Sequence, residues 1–85
     1  MATTRTATTQ WKGSLTDGGG EVTLESSDLG TFGVSWAART EEANGKTSPE
    51  ELIAAAHSSC FSMAFSNGLA KDDTPATSLT TTADV

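Results

Sequence analysis

Apolar positions follow two different periods along this 85-residue chain. From Gln10 to Leu15, Trp11, Gly13 and Leu15 alternate with Lys12 and Ser14, and from Glu21 to Glu25 the apolar Val22 and Leu24 stand two apart between polar neighbours. That is the period of half-buried strands. Asp17-Gly18-Gly19-Gly20 lies between them as a turn, so the two segments predict a β-hairpin that begins near Thr9, after a polar, Thr-rich lead-in. A second turn is expected from Ser26 to Gly30, and a third strand from Thr31 to Arg39, bearing Phe32, Val34 and Trp36 around Gly33. Glu41 to Thr47, which contains Asn44-Gly45, reads as a loop.

From Ser48 onward the signals are those of a helix. Ser48 suits the N-cap, Pro49 the first helical position and Glu51, three residues after the cap, the partner in a capping box. Ala-rich sequence extends the helix to about Ala70 or Lys71, where a lysine complements the helix dipole and Asp72, Asp73 and Pro75 end the run. Gly68 interrupts it at a cost of about 1 kcal/mol relative to alanine. Ser78 to Val85 is β-prone and reads as the opening of a further strand. Antiparallel strands followed by one long helix predict an α+β fold.

Composition makes that fold look incomplete. Leu, Ile, Val and Phe together number thirteen, below the level at which a small chain secures its own core. Because the apolar residues are nevertheless patterned, a partner surface or further sequence is expected to complete the core. The net charge of −6 and the scattered cations argue against nucleic acid. No apolar run reaches the length of a membrane span, and the polar stretch from Met1 to Thr9 lacks the apolar segment of a secretory signal. A soluble cytoplasmic protein is expected. With one cysteine there is no internal disulfide, and His57 with Cys60 makes at most half of a metal site, so no metal is expected. The glycine triplet lacks the Gly-Lys-Ser/Thr helix entry of a phosphate loop and reads as a plain turn.

Cys60 is the residue with the most chemistry available to it. On an ideal helix Glu50, Ile53, His57, Cys60 and Phe61 fall within about 100° of one another, and Leu52, Ala56, Ser59 and Met63 form the adjoining stripe. A lone cysteine on an apolar helix face is compatible with an inert packed residue or with a nucleophile. Reactivity requires a cation from elsewhere, because Cys60 is twelve residues past the cap and the dipole fades within one turn. Arg39 can supply that charge, and Glu50 can hold Arg39 by a bidentate pair; equally, Arg39 can be a solvated strand-end charge and Glu50 a complement to the helix N-terminus. His57, one turn before Cys60, is compatible with a Cys-His pair or with ordinary hydrogen bonding. Trp36, Phe61, Met63 and Phe65 are candidates for an apolar substrate pocket or for the core itself.

The stretch from Gly45 to Ala64, with Ser48-Pro49-Glu50-Glu51 and Ala54-Ala55-Ala56-His57-Ser58-Ser59-Cys60-Phe61 within it, resembles the OsmC branch of the OsmC/Ohr family of osmotically induced and organic hydroperoxide resistance proteins. Gln10-Trp11-Lys12-Gly13 and Thr82-Ala83-Asp84-Val85 extend the resemblance to nearly the whole chain. It implies a thiol-dependent peroxidase in oxidative and osmotic stress defence, with Cys60 as peroxidatic cysteine, Arg39 stabilising its thiolate and polarising the peroxide, and Glu50 holding Arg39. It further implies an intertwined α+β homodimer with sites at the subunit interface, an organic hydroperoxide substrate and an external thiol reductant, with no cofactor. Residues 1–85 match only the N-terminal portion of that domain, so the family's resolving cysteine is not among them. The rival reading is a non-catalytic apolar-ligand-binding or dimerisation module in which Cys60 is buried and structural.

Overall fold

The computed structural model describes residues 3–85, which form two compact units, one ending at Ser48 and one comprising Pro49–Val85. The first holds strands β1 (Ala7–Lys12), β2 (Gly19–Leu24) and β3 (Thr31–Val34) and a short helix, α1 (Trp36–Thr40); the second holds the long helix α2 (Pro49–Lys71). The strands make one antiparallel sheet in the order β1-β2-β3. Antiparallel strands and then a long helix are the expected α+β arrangement.

The hairpin between β1 and β2 closes through residues 13–18. Gly13 has φ 90°, a left-handed conformation that glycine adopts without steric cost. The amide of Gly18 donates to the carbonyl of Ser14 at 2.8 Å, and that of Asp17 to Ser14 Oγ at 3.1 Å. The turn therefore starts earlier than expected, and Gly19 and Gly20 belong to β2. β1 likewise starts at Ala7 within the expected lead-in, whose first two residues, Met1 and Ala2, lie outside the described residues.

Pairing of Thr9 with Val22 and of Val22 with Phe32 sets the register, so Trp11, Val22, Leu24, Phe32 and Val34 share one face. Val22, 7% exposed, is the one buried hydrophobic residue among those described, while Trp11 and Phe32 remain 40% and 43% exposed. This thin burial matches the sparse composition. The opposite face is polar, with Thr23 and Thr31 hydroxyls 3.0 Å apart across the strands.

The third strand ends five residues sooner than the sequence predicts. Ser35 has an extended backbone and its Oγ accepts from the amide of Ala38 at 3.0 Å, capping α1. The two-residue spacing of Phe32, Val34 and Trp36 mimics a continuing strand. Ser35 followed by Ala37 and Ala38 supplies a cap and two strong helix formers, and these win locally. After α1 the chain turns back through Asn44 and Gly45, and the Thr47 amide donates to the Gly33 carbonyl at 2.9 Å in an isolated parallel bridge with β3.

In the second unit Pro49 is the first residue of α2, with Glu50 and Glu51 in the first turn and Lys71 in the last. Beyond the helix, Ser62 Oγ donates to Thr81 Oγ1 at 2.6 Å, and the segment lies along α2 in the reverse direction, from Ala76 near Ala70 to Asp84 near His57. Residues 78–85 are not a strand here. Thr81 and Ala83 are half-buried while Thr80, Thr82 and Asp84 are exposed, so the alternation of a strand survives without a ladder. Strand propensity expresses a fit to neighbouring strands, and among the described residues none pairs with this segment.

Candidate active site

Cys60 is carried on the fourth turn of α2 and is exposed. The half-buried residues of the middle and end of the helix, Ala54, Ser58, Ser62 and Leu69, form a stripe about 80° wide, and Cys60 lies almost opposite its centre. The segment that crosses α2 at Ser62 therefore leaves the thiol open. Ile53 and Phe61, expected beside Cys60, are 57% and 51% exposed, and Met63 on the adjoining stripe is 73% exposed. Phe61 stacks on Phe65 in a tilted pair with ring centroids 5.9 Å apart. The buried, structural cysteine of the rival reading does not occur within this unit.

Arg39 occupies the last turn of α1, not the end of a strand, and this corrects the element that bears it. Its guanidinium carbon is 5.8 Å from the centroid of the Trp36 ring, a cation–π approach between residues three apart on one helix. Trp36 thus acts as a platform for the guanidinium, a role that the spacing Trp36-Ala37-Ala38-Arg39 reveals only once α1 is recognised. Glu50 stands in the first turn of α2, half-buried, with its Oε1 shielded from solvent. Glu50 and Cys60 are ten residues apart on one helix, a rise of roughly 15 Å, so they do not meet along α2 itself. His57 is exposed and lines a shallow cavity with Phe61, Thr81 and Asp84; Cys60 does not line it.

The segment bearing Glu50, His57 and Cys60 lies inside a match to the family model described as OsmC-like protein, which spans residues 41–85. The chain belongs to the OsmC-like family. Its curated relatives include proteins named Peroxiredoxin OsmC from Escherichia coli (strain K12) and from Shigella flexneri, each 45% identical over 75 residues. Those alignments cover 88% of this chain and 52% of each relative, so the chain spans about half the length of the curated OsmC proteins it matches. Arg39 lies just before the part matched by the OsmC-like model. Among the described residues no helix is long and apolar enough to cross a membrane.

Proposed function

We propose that this chain is the N-terminal portion of a thiol-dependent peroxidase that reduces organic hydroperoxides to alcohols in the cytoplasm, as part of oxidative and osmotic stress defence. The observation that carries this reading is an exposed Cys60 on a helix inside the OsmC-like match, in a chain whose relatives are named peroxiredoxins. The Cys60 thiolate attacks the terminal peroxide oxygen, and an S–O bond forms as the O–O bond breaks. Sulfur loses two electrons and the peroxide gains them; the departing alkoxide takes up a proton and leaves as the alcohol. Cys60 is then a sulfenic acid. An external thiol condenses with it, releasing water and forming a mixed disulfide, and a second thiol frees Cys60 by exchange.

Arg39 supplies the positive charge that favours the thiolate and draws electron density from the peroxide, and Glu50 holds the guanidinium in place. The distance between Glu50 and Cys60 along α2 supports a site completed at the interface of a homodimer, in which Glu50, with the guanidinium of Arg39 that it holds, faces a cysteine that Glu50 cannot approach along its own helix. The numerous exposed apolar side chains of the described residues support the same assembly. No cofactor enters any step.

The test is mass spectrometry of the full-length protein after substoichiometric cumene hydroperoxide. Cys60 is expected to gain one oxygen, or to be recovered as a mixed disulfide when a small thiol is present. A Cys60 that remains a thiol while the peroxide persists would refute the peroxidase reading.

A further inference from the structure

The polar face of the three-stranded sheet carries a depression that the peroxide chemistry does not use. Cross-strand register puts Gln10, Glu21 and Gly33 in one row and Lys12 opposite Gly19 in the next. Gln10, Lys12, Glu21 and Lys46 stand around a cavity of about 320 Å³ floored by Gly19 and Gly20. The Lys46 stem lies across Gly33, where a Cβ would come within 3.2 Å of its Cγ, so glycine at 33 lets that lysine lie flat against the sheet.

The three successive glycines have different reasons to be there. A Cβ at Gly18 would collide with the carbonyl oxygens of Lys12 and Ser14, and one at Gly20 with the carbonyl of Gln10 and the Trp11 ring. At Gly19 the nearest atom would be the Val34 carbonyl oxygen at 3.9 Å, an ordinary contact. Packing does not require glycine at 19, and what its bareness does is keep the cavity floor open. Two of the three lysines of a chain with net charge −6 converge on this floor. Neither ammonium is ion-paired among the described residues, and neither is the Glu21 carboxylate.

We propose that this cavity binds a small monoanion through its carboxylate, held between Lys12 and Lys46 with the Gln10 amide as a further donor. Two ammonium groups and one carboxylate leave a single net positive charge, which matches a monocarboxylate, while Glu21 opposes a phosphate dianion. The volume is at the small end for a ligand pocket, which suits a short acyl chain.

The experiment is an amide NMR titration of the full-length protein with sodium hexanoate at ionic strength held constant with sodium chloride. Saturable shifts are expected at Gly19, Gly20 and Lys46, with Kd on the order of millimolar because the charges are exposed and screened. Lys46→Gln and Lys12→Gln are each expected to weaken binding about two- to fivefold. Gly19→Ala is expected to abolish it by filling the floor, and the dispersed spectrum of each variant reports its fold. Glu21→Gln is expected to tighten hexanoate binding and to admit inorganic phosphate, a gain that an unfolded variant cannot imitate. Shifts that rise linearly with concentration, unchanged affinity in Lys46→Gln, or tighter binding of phosphate than of hexanoate by the unsubstituted protein would each overturn the proposal.

Discussion

The backbone amide of Thr74 donates to the carbonyl of Leu69 at 2.9 Å, closing the last turn of α2. Between them the Asp73 amide donates to the Ala70 carbonyl at 3.2 Å, and Asp73 has φ 58°. Together these bonds form a Schellman motif, with an aspartate in the left-handed position that glycine usually takes. Aspartate pays a steric cost there and also places negative charge at the negative end of the helix dipole. Asp73→Gly is therefore expected to stabilise the protein by about 1 kcal/mol, and Asp73→Val, β-branched, to destabilise it by at least ~1 kcal/mol. Urea denaturation of the full-length protein checks both signs.

Gly18 and Gly68 predict opposite outcomes for the same substitution. At Gly18 the new methyl meets the carbonyl oxygens of Lys12 and Ser14 across the hairpin turn, so Gly18→Ala is expected to cost about 1–3 kcal/mol. Around Gly68 nothing lies within 4 Å, and in a helix interior Gly68→Ala is expected to add about 0.5–1 kcal/mol of stability. Equal shifts in the denaturation midpoint for the two variants would contradict this.

Ser35 holds the first turn of a helix only five residues long. Ser35→Ala removes the acceptor for the Ala38 amide and is expected to cost about 1 kcal/mol, whereas Ser35→Asp preserves the cap. Because α1 carries Arg39, the alanine variant is also expected to slow oxidation of Cys60 by hydroperoxide, and the aspartate variant to restore much of the rate. Stopped-flow measurement of the oxidation separates the two.

If Arg39 serves Cys60 as proposed, Arg39→Ala is expected to slow Cys60 oxidation about ten- to a hundredfold, the consequence of removing the cation that favours the thiolate. Arg39→Lys is expected to recover only part of this, since an ammonium lacks the planar fork that pairs with a carboxylate and stacks on Trp36. Cys60→Ser is expected to abolish the reaction. A rate in Arg39→Ala equal to that of the unsubstituted protein would remove Arg39 from the site.

How far local sequence carries the fold depends on how local the determining interactions are. Pro49 opens α2 and Lys71 closes it because both signals act within one turn of the residues concerned. The faces of β1 and β2 follow from a two-residue period, and both hairpins follow from turn residues adjacent to them. The third strand was harder to delimit because Trp36 satisfies the strand period and the helix at once, and the Ser35 cap decides between them through a hydrogen bond three residues long. The family was legible in the motif from Gly45 to Ala64, which also holds the candidates Glu50 and Cys60, whereas Arg39 lies before that motif and entered the candidate set only as a cation in the patterned region and through the resemblance.

Sequence alone settled the type of fold, the span of the long helix and the helical face on which Cys60 stands, since each rests on contacts a few residues apart. Tertiary structure decided that Cys60 is open to solvent, that Arg39 rides on a short helix over Trp36, and that residues 78–85 lie along α2 without joining a sheet. Those outcomes depend on which surfaces meet. A helical period specifies a direction for a side chain, and only the segments packed around the helix determine whether that direction ends in protein or in water.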